Sequence, residues 1–237
     1  MSYDAVFFDL DDTLYPYSPC NEAGKRAAHE RLSELGYDLD RAAFEEFYAT
    51  GRRDVKRELS GTASTHERFL YFKRALERHT GTAQPGDAHE LGAAFWDGYL
   101  AEMSLFDGVR ETLSDLRAAG VEVAVVTNLT TRIQLRKLAE LGLDEEIDLL
   151  LTSEETGREK PGSVMFTLPL ARLGVTPAET LMVGDSIQSD VVGGNAAGLT
   201  TVLVNNDDDE RAVAERPAHE RPDHHLDSVA AVPEVAL

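Results

Sequence analysis

Asp9 and Asp11 belong to the strongest local signal for chemistry in the sequence, Phe8-Asp9-Leu10-Asp11-Asp12-Thr13-Leu14. They directly follow Ala5–Phe8, a short apolar run typical of a strand buried on both faces of a parallel sheet. Ligands of open α/β sheets bind beyond the carboxyl ends of the strands, where these two carboxylates would emerge. The same residues also suit a capped turn, in which Asp and Thr side chains bind backbone N–H groups. The choice between the two interpretations depends on the rest of the chain.

A second acidic group, Asp185 and Asp190, follows another apolar run at Leu181–Val183. Gly184 precedes Asp185, and a glycine allows the backbone to turn closely past a ligand. Taken singly, Asp185 is also typical of a helix N-cap and Asp190 of a surface charge. Two acidic strand ends in one sheet can converge on a hard cation, and carboxylates with water in octahedral geometry suit Mg²⁺. The two acidic groups together predict a magnesium site.

Polar residues that suit a phosphate group lie between these two acidic groups. The run Val121–Val126 leads into Thr127 and Asn128, whose hydroxyl and amide can donate hydrogen bonds to phosphate oxygens. Lys160, one of only five lysines in the chain, precedes Pro161, and its compact ammonium suits a tetrahedral anion. Alone, Thr127 and Asn128 are equally typical of a polar strand exit, and Lys160 is more typical of a surface lysine before a proline that starts a helix.

The strands and helices that position these residues are predicted to form a doubly wound α/β sheet. Five short apolar runs have the composition of buried strands: Ala5–Phe8, Val121–Val126, Leu149–Leu151, Leu181–Val183 and Thr200–Val204. Helical patterns alternate with the later runs and end at glycines. One of them places Ile133, Leu135, Leu138 and Leu141 near one face, and another covers Ser189–Ala197. Strand–helix alternation of this kind predicts a parallel sheet with helices on both sides.

An insertion of helical character separates the first strand from the others. No strand-like run occurs between residues 17 and 103, and glycines and prolines punctuate this interval. The predicted helices are Glu22–Leu35, Asp40–Tyr48, Arg52–Leu59, His66–Arg78 and Ala88–Leu100. We therefore expect an α/β core of residues 1–16 and 104–237, with a helical cap domain of residues 17–103. Near the end, the run Asn205–Glu210 is expected to be a loop and the tail histidines to be solvated.

The composition excludes several classes of protein. Asp and Glu number 43 against 23 Lys and Arg, and the resulting net charge of −20 argues against a nucleic-acid binder. No apolar run approaches the ~20 residues that span a bilayer, and the N-terminus lacks the pattern of a secretory signal. Cys20 is the single cysteine, which excludes an internal disulfide. We expect a cytoplasmic protein without nucleic-acid or membrane partners, and the sequence specifies no oligomeric state.

The acidic excess also bears on salt. Hydrophobic residues make up 42% of the chain and recur periodically, so a core can form despite the charge. Surplus carboxylate with few lysines is typical of proteins adapted to high salt, although ordinary acidic solubility is the alternative. Salt screens charge–charge repulsion. We therefore expect the activity to tolerate or require molar salt.

The motifs, in this order, closely resemble those of the haloacid dehalogenase superfamily of hydrolases. They are Asp9-Leu10-Asp11-Asp12-Thr13, Thr127-Asn128, Lys160-Pro161 and Gly184-Asp185-Ser186 with Asp190. The resemblance covers essentially the whole chain and includes a small helical cap inserted after the first motif. It is strongest to the branch that contains nucleotide, acylneuraminate-phosphate, phosphoglycolate and flavin-nucleotide phosphatases. The resemblance implies a Rossmann-like core and a phosphatase that acts on a small phosphorylated metabolite.

The resemblance also implies a two-step phosphoryl transfer. Asp9 would attack phosphorus and form an aspartyl-phosphate. Asp11 would protonate the leaving alkoxide and then take a proton from the attacking water. Mg²⁺ would be held by the Asp9 carboxylate, the Asp11 backbone carbonyl and Asp185, with Asp190 and Gly184 in support.

The remaining motif residues would bind the phosphate group or order the loops. Thr127, the Asn128 backbone and Lys160 would hold the transferring oxygens as charge redistributes. Thr13 would orient the first loop.

Three alternatives remain open at this stage. A phosphomutase of the same fold would use the same motifs. A 2-haloacid dehalogenase is disfavoured because, in the resembling dehalogenases, the position of Asp11 is not acidic. A catalytically inactive, partner-binding scaffold is disfavoured because every motif position is filled.

Overall fold

The structure, a computed structural model, describes residues 3–206, 213 and 215–237. The described chain forms two compact units. One takes in the N-terminal segment through Pro16 and the chain from Ser104 onward, and the other is Tyr17–Met103. Residues 207–210 of the predicted acidic loop lie outside the described residues.

A parallel sheet of six strands forms the centre of the first unit, as far as that unit is described. The strands are β1 (Ala5–Phe8), β2 (Glu122–Thr127), β3 (Leu149–Thr152), β4 (Thr180–Gly184), β5 (Thr200–Val204) and β6 (His224–Leu226). Their spatial order is β3-β2-β1-β4-β5-β6, so β1 lies between β2 and β4. The order reverses at β1, as in doubly wound dinucleotide-binding folds. The predicted fold class is therefore confirmed.

The sixth strand was not predicted from the sequence. His224, His225 and Leu226 pair in parallel with Val202, Leu203 and Val204 of β5. This strand is three residues long and half-buried, so it lacks the apolar run that identifies the central strands. The two histidines belong to this edge strand rather than to a solvated tail.

Helices flank the sheet and bury its apolar faces. They are α5 (Val109–Ala118), α6 (Thr131–Glu140), α7 (Ser153–Thr156), α8 (Val164–Leu173), α9 (Val192–Ala197) and α10 (Pro233–Ala236). One core cluster packs Phe7 of β1 and Val126 of β2 against Phe166 of α8. The helix predicted over Ser189–Ala197 differs in detail, because a π-helical turn, Ile187–Val191, precedes α9. Single π-helical turns are frequent at functional sites.

The second unit consists of helices packed in pairs. They are α1 (Tyr17–Glu34), α2 (Arg41–Glu58), α3 (Arg68–Thr80) and α4 (Pro85–Ala101), with a short 3₁₀ helix at Ala63–His66. α1 packs on α4, and α2 packs on α3. No helix in the described part of the chain is long and apolar enough to cross a membrane.

The sequence predicted two helices, Asp40–Tyr48 and Arg52–Leu59, where the structure has the single helix α2. Gly51 lies inside this helix, and a Cβ placed on it would be 2.0 Å from the backbone oxygen of Tyr71 in α3. Gly51 therefore does not end the helix. It allows the backbones of α2 and α3 to approach closely.

Candidate active site

The two acidic strand ends meet at the carboxyl edge of the sheet. β1 and β4 are neighbours, with Phe8 opposite Val183. Asp9 follows β1, and its backbone N–H donates to the Val183 carbonyl at 2.9 Å. Asp185 follows β4 directly. The crevice beside the reversal of strand order is the usual ligand position in open α/β sheets.

Asp9, Asp185 and Asp190 form a compact carboxylate cluster. One oxygen from each lies within 4.8 Å of the others. Burial raises the pKa of Asp9 to about 6, a rise that Lys160 opposes and the charge of Asp190 supports. Burial and the charges of Asp9 and Asp190 raise the pKa of Asp185 to about 8. A half-buried set of hard oxygen donors with excess negative charge fits Mg²⁺, which favours carboxylate ligands.

Lys160 lies inside this cluster. Its Nζ is 2.7 Å from Asp9 Oδ1 and 2.7 Å from Asp190 Oδ1, and its side chain is only 1% exposed. Burial alone would lower the pKa of Lys160, but the charges of Asp190 and Asp9 raise it above its usual range. The lysine is therefore a fixed cation beside Asp9.

The Asp190 side chain packs against the backbone of Gly184. Asp190 Oδ2 accepts from the Ser186 backbone N–H at 3.1 Å, which ties the π-helical turn to the end of β4. A Cβ placed on Gly184 would be 2.2 Å from Asp190 Oδ2. The group that approaches Gly184 closely is thus the Asp190 side chain, whereas the sequence suggested a ligand.

Thr127 and Asn128 end β2 on the other side of β1. Gln134 of α6 is fully buried and donates to Thr127 Oγ1 and to the Asn128 carbonyl, both at 2.7 Å. The Asn128 side-chain oxygen accepts from the Lys160 backbone N–H at 2.9 Å. The Asn128 side chain therefore holds the Lys160 loop in place. Gln134, which orients the Thr127 hydroxyl, is a site residue that sequence reasoning missed.

Thr13 connects the first loop to β4. The Asp185 backbone N–H donates to Thr13 Oγ1 at 3.2 Å, and Thr13 is fully buried. Asn205 and Asn206, which follow β5, extend this network. Asn205 donates to the Thr13 carbonyl at 2.9 Å, and Asn206 donates to the Asp185 carbonyl at 2.9 Å.

The Asp11 carboxylate has its own partners. Lys137 Nζ of α6 lies 2.7 Å from Asp11 Oδ1 and 2.9 Å from Oδ2. The Tyr15 hydroxyl donates to Oδ1 at 2.7 Å. Sequence reasoning did not identify Lys137.

The helical pattern contained a signal for Lys137. Leu135, placed on the buried face from the sequence, is 55% exposed, whereas Gln134 and Lys137 are buried. Gln134 and Lys137, three residues apart, thus lie on the buried face of α6. A helical face drawn through Gln134 and Leu138 with the 3.6-residue period would have included Lys137.

Comparisons with known proteins identify the family of this chain. A family model described as haloacid dehalogenase-like hydrolase matches residues 3–198. The ribulose-1,5-bisphosphate 5-phosphatase of Halopiger xanaduensis is 59% identical over 228 residues, which are 95% of each chain. The glyceraldehyde 3-phosphate phosphatase of Methanopyrus kandleri is 34% identical over 200 residues, 84% of this chain and 83% of that protein.

Solved structures show the same fold. The crystal structure of a 2-haloacid dehalogenase from Pseudomonas syringae pv. Tomato DC3000 superposes with a TM-score of 0.76. The alignment covers 99% of this chain and 98% of that one at 24% identity. At this identity the similarity concerns the fold and not the reaction.

Proposed function

This chain belongs to the haloacid dehalogenase-like hydrolase family and is a phosphoric monoester hydrolase, and we propose that it removes the 5-phosphate of ribulose 1,5-bisphosphate in a Mg²⁺-dependent reaction. The observation that carries the choice of substrate is the 59% identity to a phosphatase of that specificity, which extends over 95% of both chains. The products would be ribulose 1-phosphate and inorganic phosphate.

Asp9 is the proposed nucleophile. An Asp9 carboxylate oxygen would attack phosphorus while the bond from phosphorus to the sugar oxygen breaks, giving an aspartyl-phosphate. Asp11 would donate its proton to the leaving sugar oxygen. A water would then attack the aspartyl-phosphate, Asp11 would take back a proton, and phosphate would leave with Asp9 restored. Lys160, 2.7 Å from Asp9, supports this role because its charge favours both the carboxylate and the incoming phosphate.

The metal would bind beside the nucleophile. Asp9 and Asp185 would supply carboxylate oxygens and Asp11 its backbone carbonyl, with Asp190 in support through its bond to the Ser186 N–H. Mg²⁺, when bound, would offset the repulsion between these carboxylates and a phosphate dianion. The raised pKa values of Asp9 and Asp185 support this assignment, because burial first and neighbouring carboxylates second disfavour their charged forms, a cost that a bound cation would offset.

The phosphate oxygens would meet three donors. The Thr127 hydroxyl accepts from Gln134 at 2.7 Å and donates to the Asn128 carbonyl at 3.3 Å. This long hydrogen bond is one that the hydroxyl would exchange for a bond to a phosphate oxygen. The Asn128 backbone N–H and the Lys160 ammonium complete the proposed set. The helical unit Tyr17–Met103 is the proposed cap, which selects the leaving group.

The test is a product assay with the purified protein. Phosphorus NMR should show ribulose 1-phosphate and inorganic phosphate in equal amounts, with Mg²⁺ required and removal of Mg²⁺ by chelation abolishing turnover. The kcat/KM for the bisphosphate should exceed those for glyceraldehyde 3-phosphate and p-nitrophenyl phosphate. Phosphoryl transfer to another hydroxyl without phosphate release would support the phosphomutase instead.

Substitution of the nucleophile provides the second arm. Asp9→Asn removes the attacking charge, and we expect turnover to fall by at least about 10⁴-fold, the scale seen when a nucleophile is lost. Asp115→Asn, a change at an exposed aspartate of α5 in the same unit, is the matched control and should keep the full rate. Unchanged turnover in Asp9→Asn would contradict the proposed mechanism.

A further inference from the structure

Lys137 and Tyr15 hold the Asp11 carboxylate from two directions. Lys137 contacts both oxygens, at 2.7 and 2.9 Å, and the Tyr15 hydroxyl donates to Oδ1 at 2.7 Å. The lysine ammonium also lies 5.6 Å from the centre of the Tyr15 ring. The three groups come from two elements, the first loop and α6, that are far apart in the sequence.

Burial of Lys137 is costly and therefore informative. Its side chain is 1% exposed, and a buried ammonium is stable only when paired. The usual buried residue at such a helix position is apolar. The pairing of this lysine with Asp11, and with both of its oxygens, indicates that the arrangement serves the carboxylate.

We propose that Lys137, together with Tyr15, is a positioning residue for Asp11. This inference rests on the proposed function, in which Asp11 exchanges a proton with the leaving oxygen and then with water. An aspartate side chain rotates about two bonds, and proton transfer needs its oxygen within hydrogen-bond reach of the reacting atom. Contacts to both carboxylate oxygens restrict both rotations of the Asp11 side chain before the substrate binds.

Asp11 is more exposed than Lys137, so Lys137 can be replaced without leaving Asp11 as a buried, unpaired charge. The Asp11 side chain is 34% exposed. In a Lys137→Met variant, Asp11 would keep solvent and the Tyr15 hydroxyl as partners. The variant therefore leaves no fully buried unpaired charge, and we expect it to fold.

Two substrates with different leaving groups distinguish a positioning role of Lys137 from a general structural role. An alkyl phosphate such as ribulose 1,5-bisphosphate needs a proton on its leaving oxygen, whereas p-nitrophenolate leaves without one. The quantity to compare is kcat/KM, which covers the steps through departure of the leaving group. In Lys137→Met we expect kcat/KM to fall at least about tenfold for the bisphosphate, part of the 10²–10⁴ that a general acid supplies. For p-nitrophenyl phosphate it should stay within about threefold.

Two control variants complete the experiment. Lys73→Met removes a lysine from an exposed ion pair with Glu77 in α3 and should change neither substrate's kcat/KM. In an Asp11→Asn background, Lys137→Met should cause no further loss, because the lysine acts through Asp11. Equal losses for the two substrates, or a further loss in the Asp11→Asn background, would overturn the proposal.

A structural readout keeps this inference separate from the proposed function. If the native enzyme hydrolyses no phosphate ester with Mg²⁺, the proposed function fails. The crystal structure of Lys137→Met then decides the positioning role. A displaced or disordered Asp11 carboxylate would support it, and an Asp11 side chain unchanged from the native protein would overturn it.

Discussion

The carboxylate cluster at Asp9, Asp185 and Asp190 gathers like charges in a half-buried place. Lys160 is the cation that pairs with Asp9 and Asp190. Asp185 accepts a hydrogen bond from the Thr13 hydroxyl at 3.4 Å. Its pKa is raised to about 8, further than the pKa of Asp9, which is raised to about 6. The uncompensated charge on Asp185 is consistent with the proposed Mg²⁺ site.

A pH dependence follows from Asp185. Its pKa rises from 3.8 to about 8 on folding. The metal-free native state therefore holds a proton that the unfolded chain has lost, and stability falls as pH rises between these values. Mg²⁺ binds the ionised carboxylate, so its apparent affinity should weaken about tenfold for each pH unit below the pKa. We expect Mg²⁺ to raise the Tm more at pH 8.5 than at pH 5.5, measured by thermal unfolding.

The control for this experiment is Asp185→Asn, which has no proton to lose. Its Tm should respond weakly to Mg²⁺, and the difference between the two pH values should be smaller than in the native protein, since only Asp9, with a pKa of about 6, would still titrate among the proposed ligands. A larger Mg²⁺ effect at pH 5.5 than at pH 8.5 in the native protein would contradict the assignment of Asp185 as a ligand.

The sequence identifies residues that end strands better than residues that point inward from helices. Asp9 and Asp185 follow clear apolar runs, so their meeting follows from the topology of a parallel sheet. Lys137 and Gln134 are missed because the apolar pattern of α6 allows a buried face that includes Leu135 and Leu138. That face leaves Gln134 and Lys137 outside it. The long-range pairs of Lys137 with Asp11 and of Asn128 with Lys160 depend on tertiary packing, which no local pattern encodes.

At the scale of elements, the site depends on where strands end. β2, β1 and β4 are adjacent, and polar residues lie at the same edge, because β2 ends at Thr127 while Asp9 and Asp185 directly follow β1 and β4. This arrangement could be predicted because each central strand is an apolar run that stands out from its flanks. β6 could not, because an edge strand of three half-buried residues has little apolar surface to bury.

The α2–α3 pair depends on a glycine inside a helix, Gly51 of α2. Glycine costs a helix about 1 kcal/mol relative to alanine, so an isolated helix would gain from Gly51→Ala. In the folded protein the added methyl would meet the Tyr71 backbone oxygen at 2.0 Å. Backbone cannot move aside as a side chain does, so we expect a net loss of about 1–3 kcal/mol, the usual cost of overpacking. Chemical denaturation measures this difference.

The matched control is Gly86→Ala in the first turn of α4. A Cβ on Gly86 meets nothing within 4 Å, so this change should be neutral or slightly stabilising. Stabilisation by Gly51→Ala equal to that by Gly86→Ala would show that the close approach of α2 and α3 is not tight.

For the molecule as a whole, the net charge of the protein and the charge of the proposed substrate are both negative. The chain carries a net charge of −20, and the proposed substrate is a bisphosphate. Lys160 and Lys137 are both buried and paired with aspartates, so they act over a few ångströms and do not attract substrate from a distance. Long-range repulsion is therefore set by the surface, and short-range attraction by the site.

Added salt should separate these two effects. Screening shortens the reach of surface charge from about 10 Å at 0.1 M to about 3 Å at 1 M, while buried pairs are screened much less. With Mg²⁺ saturating, we expect kcat/KM for ribulose 1,5-bisphosphate to hold or rise from 0.1 to 3 M KCl. The rise should be smaller for p-nitrophenyl phosphate, the internal control, because it carries about half the charge and is repelled less. A steep fall for both substrates as KCl increases would show that the surface charge is not what limits encounter, and that ion pairs needed for folding or binding are exposed to salt.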